Sequence, residues 1–102
     1  MDFPDFWLTE ENLVVFCKKN SKFQIEGLQE KDNVSIFSLF EDGFFMSKIF
    51  SSGLKWNLDK VNWKKQWSLS NRICENSSFV EINVKRGNFL LILPLQDNIN
   101  IN

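Results

Sequence analysis

"SFVEINVKRGNFLLILPLQ", residues 78–96, decides how this 102-residue chain is read. Val80, Ile82 and Val84 recur at every second position, with Glu81 and Asn83 between them. That is the period of a strand with one covered face. Arg86-Gly87-Asn88 has turn chemistry, because glycine accepts the positive φ of tight reversals. Phe89 to Leu93 is a continuous apolar run, the pattern of a strand covered on both faces. Two such strands across one short turn predict a hairpin. Pro94 has no amide to donate, so it marks a sheet edge or a bulge. The tail "QDNININ", residues 96–102, either adds a short edge strand or frays.

Working outward, "NVSIFSLFEDGFFMSKIF", residues 33–50, places two apolar runs around Glu41-Asp42-Gly43. It predicts a second hairpin, 33–40 with 44–50. "KFQIEGLQ", residues 22–29, alternates imperfectly, with Gly27 a candidate bulge. "LTEENLVVFCKKNS", residues 8–21, predicts a helix. Thr9 can cap its first amides, and Glu10 and Glu11 suit the positive end of its dipole. Leu13, Phe16 and Cys17 fall on one helical face. A strand through Val14 and Val15 is the rival reading.

"LKWNLDKVNWKKQW", residues 54–67, holds three of the four tryptophans among four lysines. It reads as a strand over 54–58, then a short helix from Asp59 to Trp67. Trp56 and Trp63 are expected to anchor the core, and Trp67 to face a partner. Together these segments predict an α+β fold within a single domain, residues 1–102. Its mostly antiparallel sheet has about five strands, covered by one or two helices. An all-β sandwich or barrel is the alternative.

The residue inventory excludes much chemistry. With no histidine, Ser-His-Asp and Cys-His arrangements are impossible. The four glycines stand singly, so no P-loop or dinucleotide fingerprint is present. Cys17 and Cys74 lie far apart without a C-x-x-C pattern, and read as two buried free thiols. No catalytic residue, no metal and no cofactor is expected, and the chain reads as a non-enzyme. A net charge of −1 supplies no field for nucleic acid or a membrane surface. The acidic first half and basic second half read as two solvated faces. No apolar run approaches the roughly 20 residues that span a bilayer. The acidic start lacks the basic region of a secretory signal, so a cytoplasmic location is expected.

What remains is a binding module. Asp2, Asp5, Glu10 and Glu11 interleave with Phe3, Phe6 and Trp7, and Glu41 and Asp42 precede Phe44 and Phe45. Aromatic anchors within a charged rim suit a protein interface. The expected partner-binding residues are Asp2, Asp5, Phe6, Trp7, Glu10, Glu11, Glu41, Asp42 and Trp67. The function expected is a small bacterial immunity or antitoxin-type inhibitor, a monomer or weak homodimer. Its partner would be a cognate toxin or enzyme, a nuclease for choice, whose active site it blocks. One alternative is an accessory subunit or phage-encoded interaction module. Another is a small carbohydrate- or ligand-binding domain using Trp56, Trp63 and Trp67.

Overall fold

The computed structural model describes residues 5–39, 47–63, 68–74 and 79–102. Nine strands run through them: β1 (Asp5–Leu8), β2 (Asn12–Cys17), β3 (Lys22–Glu26), β4 (Val34–Leu39), β5 (Lys48–Ser52), β6 (Ser68–Asn71), β7 (Phe79–Arg86), β8 (Asn88–Pro94) and β9 (Asn100–Ile101). They form two antiparallel sheets, ordered β1-β2-β8-β4-β6 and β5-β7-β3-β9. Among the described residues the only helical element is a 3₁₀ turn, Leu58–Lys60. The α+β expectation with covering helices is therefore overturned. Each sheet covers the other, so helices are not needed to seal the core.

The predicted helix over 8–21 is the clearest correction. Leu13, Val15 and Cys17 turn toward the core at period two along β2, and β2 pairs with β1 from Leu8↔Leu13 to Asp5↔Phe16. Thr9 caps a hairpin turn instead of a helix. Its hydroxyl accepts the Asn12 N–H at 2.9 Å and donates to the Asn12 carbonyl at 3.1 Å. The Thr9 N–H donates to the same carbonyl at 2.9 Å. A short polar side chain can satisfy a free amide at either kind of chain reversal. The β-branched and aromatic run that follows then favours strand.

Both strands of 79–94 form, yet they are not a hairpin. Val80, Ile82 and Val84 face the core from β7, and Phe89, Leu91 and Leu93 face it from β8. Gly87, at φ +79°, bends the chain so that β7 joins one sheet and β8 the other. A Cβ at Gly87 would come within 2.8 Å of the Ser47 hydroxyl oxygen. Such a corner is how a sandwich passes a strand between its sheets. The apolar run Phe89–Leu93 is fully buried only at alternate residues, because Leu90 and Ile92 lie half-buried on the outer face.

The predicted pairing of 33–40 with 44–50 also fails. β4 pairs with β6 and β8, while β5 pairs with β7 in the other sheet. The turn Glu41-Asp42-Gly43 lies outside the described residues. The C-terminal tail adds edge strand β9 beside β3, with Gln24 and Asn102 exchanging backbone hydrogen bonds of 3.0 and 2.9 Å. Asp32 ties that tail's approach to the β3–β4 loop. Its carboxylate accepts the Gln29 N–H at 2.8 Å and the Gln96 side-chain amide at 2.9 Å.

Candidate functional site

The site begins where β5 stops. Gly53 has φ +91°, and a Cβ there would lie 2.2 Å from the Phe79 carbonyl oxygen. Only glycine lets the chain leave the sheet here. Residues 53–55 then run antiparallel to 72–74. The Cys74 N–H donates to the Gly53 carbonyl at 2.6 Å and the Lys55 N–H to the Arg72 carbonyl at 2.7 Å. Leu54 bridges to Ile73, and both are buried.

Trp56 follows, and Asn71 of β6 fixes it. The Asn71 side chain is buried. Its oxygen accepts the Trp56 N–H at 3.1 Å and the Arg72 N–H at 2.9 Å, and its amide donates to the Trp56 carbonyl at 2.7 Å. Beyond Asn57, the Ser51 hydroxyl accepts the Leu58 N–H at 2.8 Å and starts the 3₁₀ turn. Leu58 drops into the core. Leu54 and Leu58 are thus anchored on either side of Trp56, whose ring stays 50% exposed. The Lys55 ammonium lies 4.9 Å from the ring centroid, a cation–π contact.

Trp56 lines a hollow of about 580 Å³ with Lys55, Asn57, Lys60, Val61 and Leu69. It shares Leu69 and Ser70 with a smaller hollow of about 200 Å³ that carries Ser35 and Ser68. The two hollows adjoin at β6. The groove offers a flat aromatic surface, neutral hydrogen-bonding groups and two cations at its rim. No carboxylate or thiol lines it among the described residues.

The tryptophans therefore divide differently from the expectation. Trp56 is a surface ring and not a core anchor. Trp63 is the anchor, buried edge-on against Phe89 at 5.1 Å and 71°. A platform of three rings is not what forms, since Trp63 is inside and Trp67 lies outside the described residues. The strand and helix expected over 54–67 reduce to one bridge and one 3₁₀ turn within 54–63.

Of the residues expected to bind a partner, Asp5, Phe6, Trp7, Glu10 and Glu11 share the β1–β2 hairpin. Asp5 is paired with Lys18 at 3.4 Å. This hairpin and the Trp56 groove sit at opposite ends of the five-stranded sheet. Asp2, Glu41, Asp42 and Trp67 lie outside the described residues. Cys17 is a buried free thiol, and burial pushes its pKa up. Cys74 is free but exposed, where two buried thiols were expected. Among the described residues no set of side chains could hold a metal ion, and no helix is long and apolar enough to cross a membrane.

The fold is a two-sheet antiparallel β-sandwich with an open hollow beside Trp56 at one edge of the five-stranded sheet. Residues 20–89 match the family model of the thiamin pyrophosphokinase vitamin B1 binding domain, and the chain belongs to that family. Solved structures agree on the fold. The chain is similar to thiamin pyrophosphokinase from Geobacillus thermodenitrificans, at TM-score 0.66 and 13% identity over 91% of this chain and 41% of that one. It is similar to the Bacillus subtilis thiamine pyrophosphokinase at TM-score 0.63 and 15% identity, over 91% of this chain and 42% of that one. A thiamin pyrophosphokinase family protein from Enterococcus faecalis gives TM-score 0.63 at 10% identity, over 90% and 40% of the two chains. The chain thus spans about two fifths of the length of these proteins. No curated protein matches it.

These findings overturn the immunity or antitoxin reading, and with it the expectation of a non-enzyme, because the family model and the similar structures are those of an enzyme, thiamin pyrophosphokinase. The inventory argument was sound as far as it reached. A missing histidine excludes a triad in this chain. It does not exclude a domain that presents a substrate to chemistry done elsewhere.

Proposed function

We propose that this chain is the vitamin-recognising part of a thiamin pyrophosphokinase, and that thiamin lies in the Trp56 groove. The observation that carries the reading is the exposed Trp56 ring, clamped through its backbone by Asn71 above a hollow wide enough for two small rings. The planar aminopyrimidine of thiamin stacks on Trp56, a contact of about 1 kcal/mol beyond simple burial. Asn57 and Ser70 offer hydrogen bonds to its ring nitrogens and amine. Lys55 and Lys60 stand where a cationic thiazolium gains nothing but an added diphosphate does. The product should therefore bind more tightly than the vitamin, and lose that advantage in salt. No carboxylate lines the groove among its described residues, and pyrophosphoryl transfer would use residues outside it. An enzyme drawing on the nucleotide pool works in the cytoplasm, where the free thiols Cys17 and Cys74 also belong.

The test is calorimetric titration of thiamin, and separately of its aminopyrimidine and thiazole halves, into the full chain and its Trp56→Ala variant. The expected result is binding of thiamin and of the aminopyrimidine half, weakened at least tenfold in the variant. Thiamin binding that Trp56→Ala leaves unchanged would place the vitamin elsewhere and sink this reading.

A further inference from the structure

The outer face of the four-stranded sheet carries a hollow of about 310 Å³ that shares no lining residue with the Trp56 groove. Asn20, Lys22, Asn83, Val84 and Lys85 line it. Strand alternation brings the polar side chains together. Phe23, Ile82 and Val84 turn into the core, so Lys22, Asn83 and Lys85 turn outward. Lys22 stands directly opposite Asn83. Asn20 closes the hollow from the turn before β3, where its φ is +70°. Its N–H donates to the Val84 carbonyl at 2.9 Å, and the Val84 N–H donates to the Ser21 carbonyl at 2.9 Å. The turn is thereby fastened to β7, and hydrogen-bonded main chain floors the hollow.

Among the described residues, the side chains of Asn20, Lys22, Asn83 and Lys85 make no hydrogen bond, and neither lysine forms an ion pair. Glu81, the next outward residue along β7, accepts the Gln24 side-chain amide at 3.4 Å and is not paired with Lys22. Protection of a sheet edge does not account for Lys85, because β7 lies between β5 and β3. Phe50 of β5 is the cross-strand neighbour of Asn83, 37% exposed, with the Lys48 ammonium 5.5 Å from its ring centroid.

We infer that this hollow binds a phosphate or diphosphate group, free or carried on a small ester. Charge selects an anion. Two ammonium groups without a counter-charge repel, and an anion between them turns that repulsion into attraction. Geometry selects phosphate. Lysine acts on phosphate as a point charge, and the Asn20 and Asn83 amides can donate to the remaining oxygens. Donors that converge from two strands and a turn suit a tetrahedral group better than a planar carboxylate. Size agrees, because the hollow is at the lower end of small-molecule sites and leaves any ring of an ester to lie outside it, on Phe50. The site is open to solvent, so binding is weak, with a dissociation constant on the order of 1 mM.

The experiment is titration of pyrophosphate into the full chain at constant ionic strength, with backbone amides followed by two-dimensional NMR. The amides of Asn20, Lys22, Asn83 and Lys85 should shift together and saturate. Lys22→Gln and Lys85→Gln should each weaken this binding roughly tenfold, as loss of a charge-assisted hydrogen bond does. Both lysines are exposed, so the variants keep the fold. Lys60→Gln, which alters only the Trp56 groove, should leave binding at the hollow unchanged. A second arm compares phenyl phosphate with inorganic phosphate. Tighter binding of the ester, lost in Phe50→Ala, assigns the site to an aromatic ester, and equal affinity assigns it to the free ion. No shift at the hollow up to about 20 mM pyrophosphate would overturn the inference. So would shifts confined to the Trp56 groove, or full affinity in both glutamine variants. The thiamin reading of that groove rests on other residues and survives any of these failures.

Discussion

Asn71 grips both backbone groups of Trp56, accepting its N–H at 3.1 Å and donating to its carbonyl at 2.7 Å. The clamp spans fifteen residues and is buried. It fixes the main chain under the ring while the ring itself stays in solvent. Replacing Asn71 by Ala removes the side-chain partner of three backbone groups, the Trp56 N–H and carbonyl and the Arg72 N–H, at a cost of about 2–3 kcal/mol in stability. Asn71→Asp keeps the acceptor, loses the donor and buries a charge, so it should be no milder. Trp56→Ala removes a half-exposed ring and should change stability by less than about 1 kcal/mol. Urea melts of the three variants check this order. If thiamin occupies the groove, adding Asn71→Ala to Trp56→Ala should lower affinity little further, because the clamp acts through the ring.

Trp63 behaves in the opposite sense. Its ring packs edge-on against Phe89, while its indole N–H finds no hydrogen-bond partner among the described residues. A buried donor without a partner offsets part of what the ring contributes. Trp63→Phe removes that donor and keeps an aromatic plane, so it should cost less than about 1.5 kcal/mol. Trp63→Ala opens a cavity and should cost about 3–5 kcal/mol. Thermal or urea denaturation separates the two. Comparable losses in both would mean that the N–H is satisfied in solution.

The Cys17 thiol gives the fold a pH dependence. Burial raises its pKa above the ordinary value of 9.0, so the folded state keeps the proton where the unfolded chain releases it. The unfolded state then binds fewer protons, and stability falls as pH rises. The contribution is complete below pH 9.0 and declines above it, by about 1.4 kcal/mol for each further pH unit. Cys17→Ala is less stable at neutral pH but lacks this slope. Urea midpoints from pH 7 to pH 10 for the two proteins test it, and parallel curves would assign the alkaline loss to other groups.

Strand identity was legible at Val80, Ile82 and Val84, whose period is two, but not along β2, where Leu13, Phe16 and Cys17 fit a helical face as well as Leu13, Val15 and Cys17 fit a strand. Strand pairing was not legible. Two apolar runs joined by a glycine are compatible with a hairpin or with a corner. The choice depends on partners far away, since β7 needs β3 and β5 whereas β8 needs β2 and β4. Thr9 misled for a related reason, because one hydroxyl suits a helix start and a hairpin turn equally. The groove was hidden more deeply. Leu54, Trp56 and Leu58 share a face in any regular strand, yet the two leucines are buried and the tryptophan is not. What separates them is Gly53, which takes the chain out of the sheet, and Asn71, whose role no local pattern announces. A lone glycine after two serines was the one visible signal, and it read only as a turn.

The corner at Gly87 also bears on how the chain is made. β2, β3, β4 and β5 all find their principal neighbours in the segment 79–94. During vectorial synthesis most of the chain therefore emerges with its pairing edges unclaimed. Both sheets acquire their central strands within one short stretch near the C-terminus. Long-range pairing of this kind is slow, and open edges invite aggregation until it completes. Closure of both sheets thus waits on this one stretch, and deleting residues 79–94 would take the middle out of both at once.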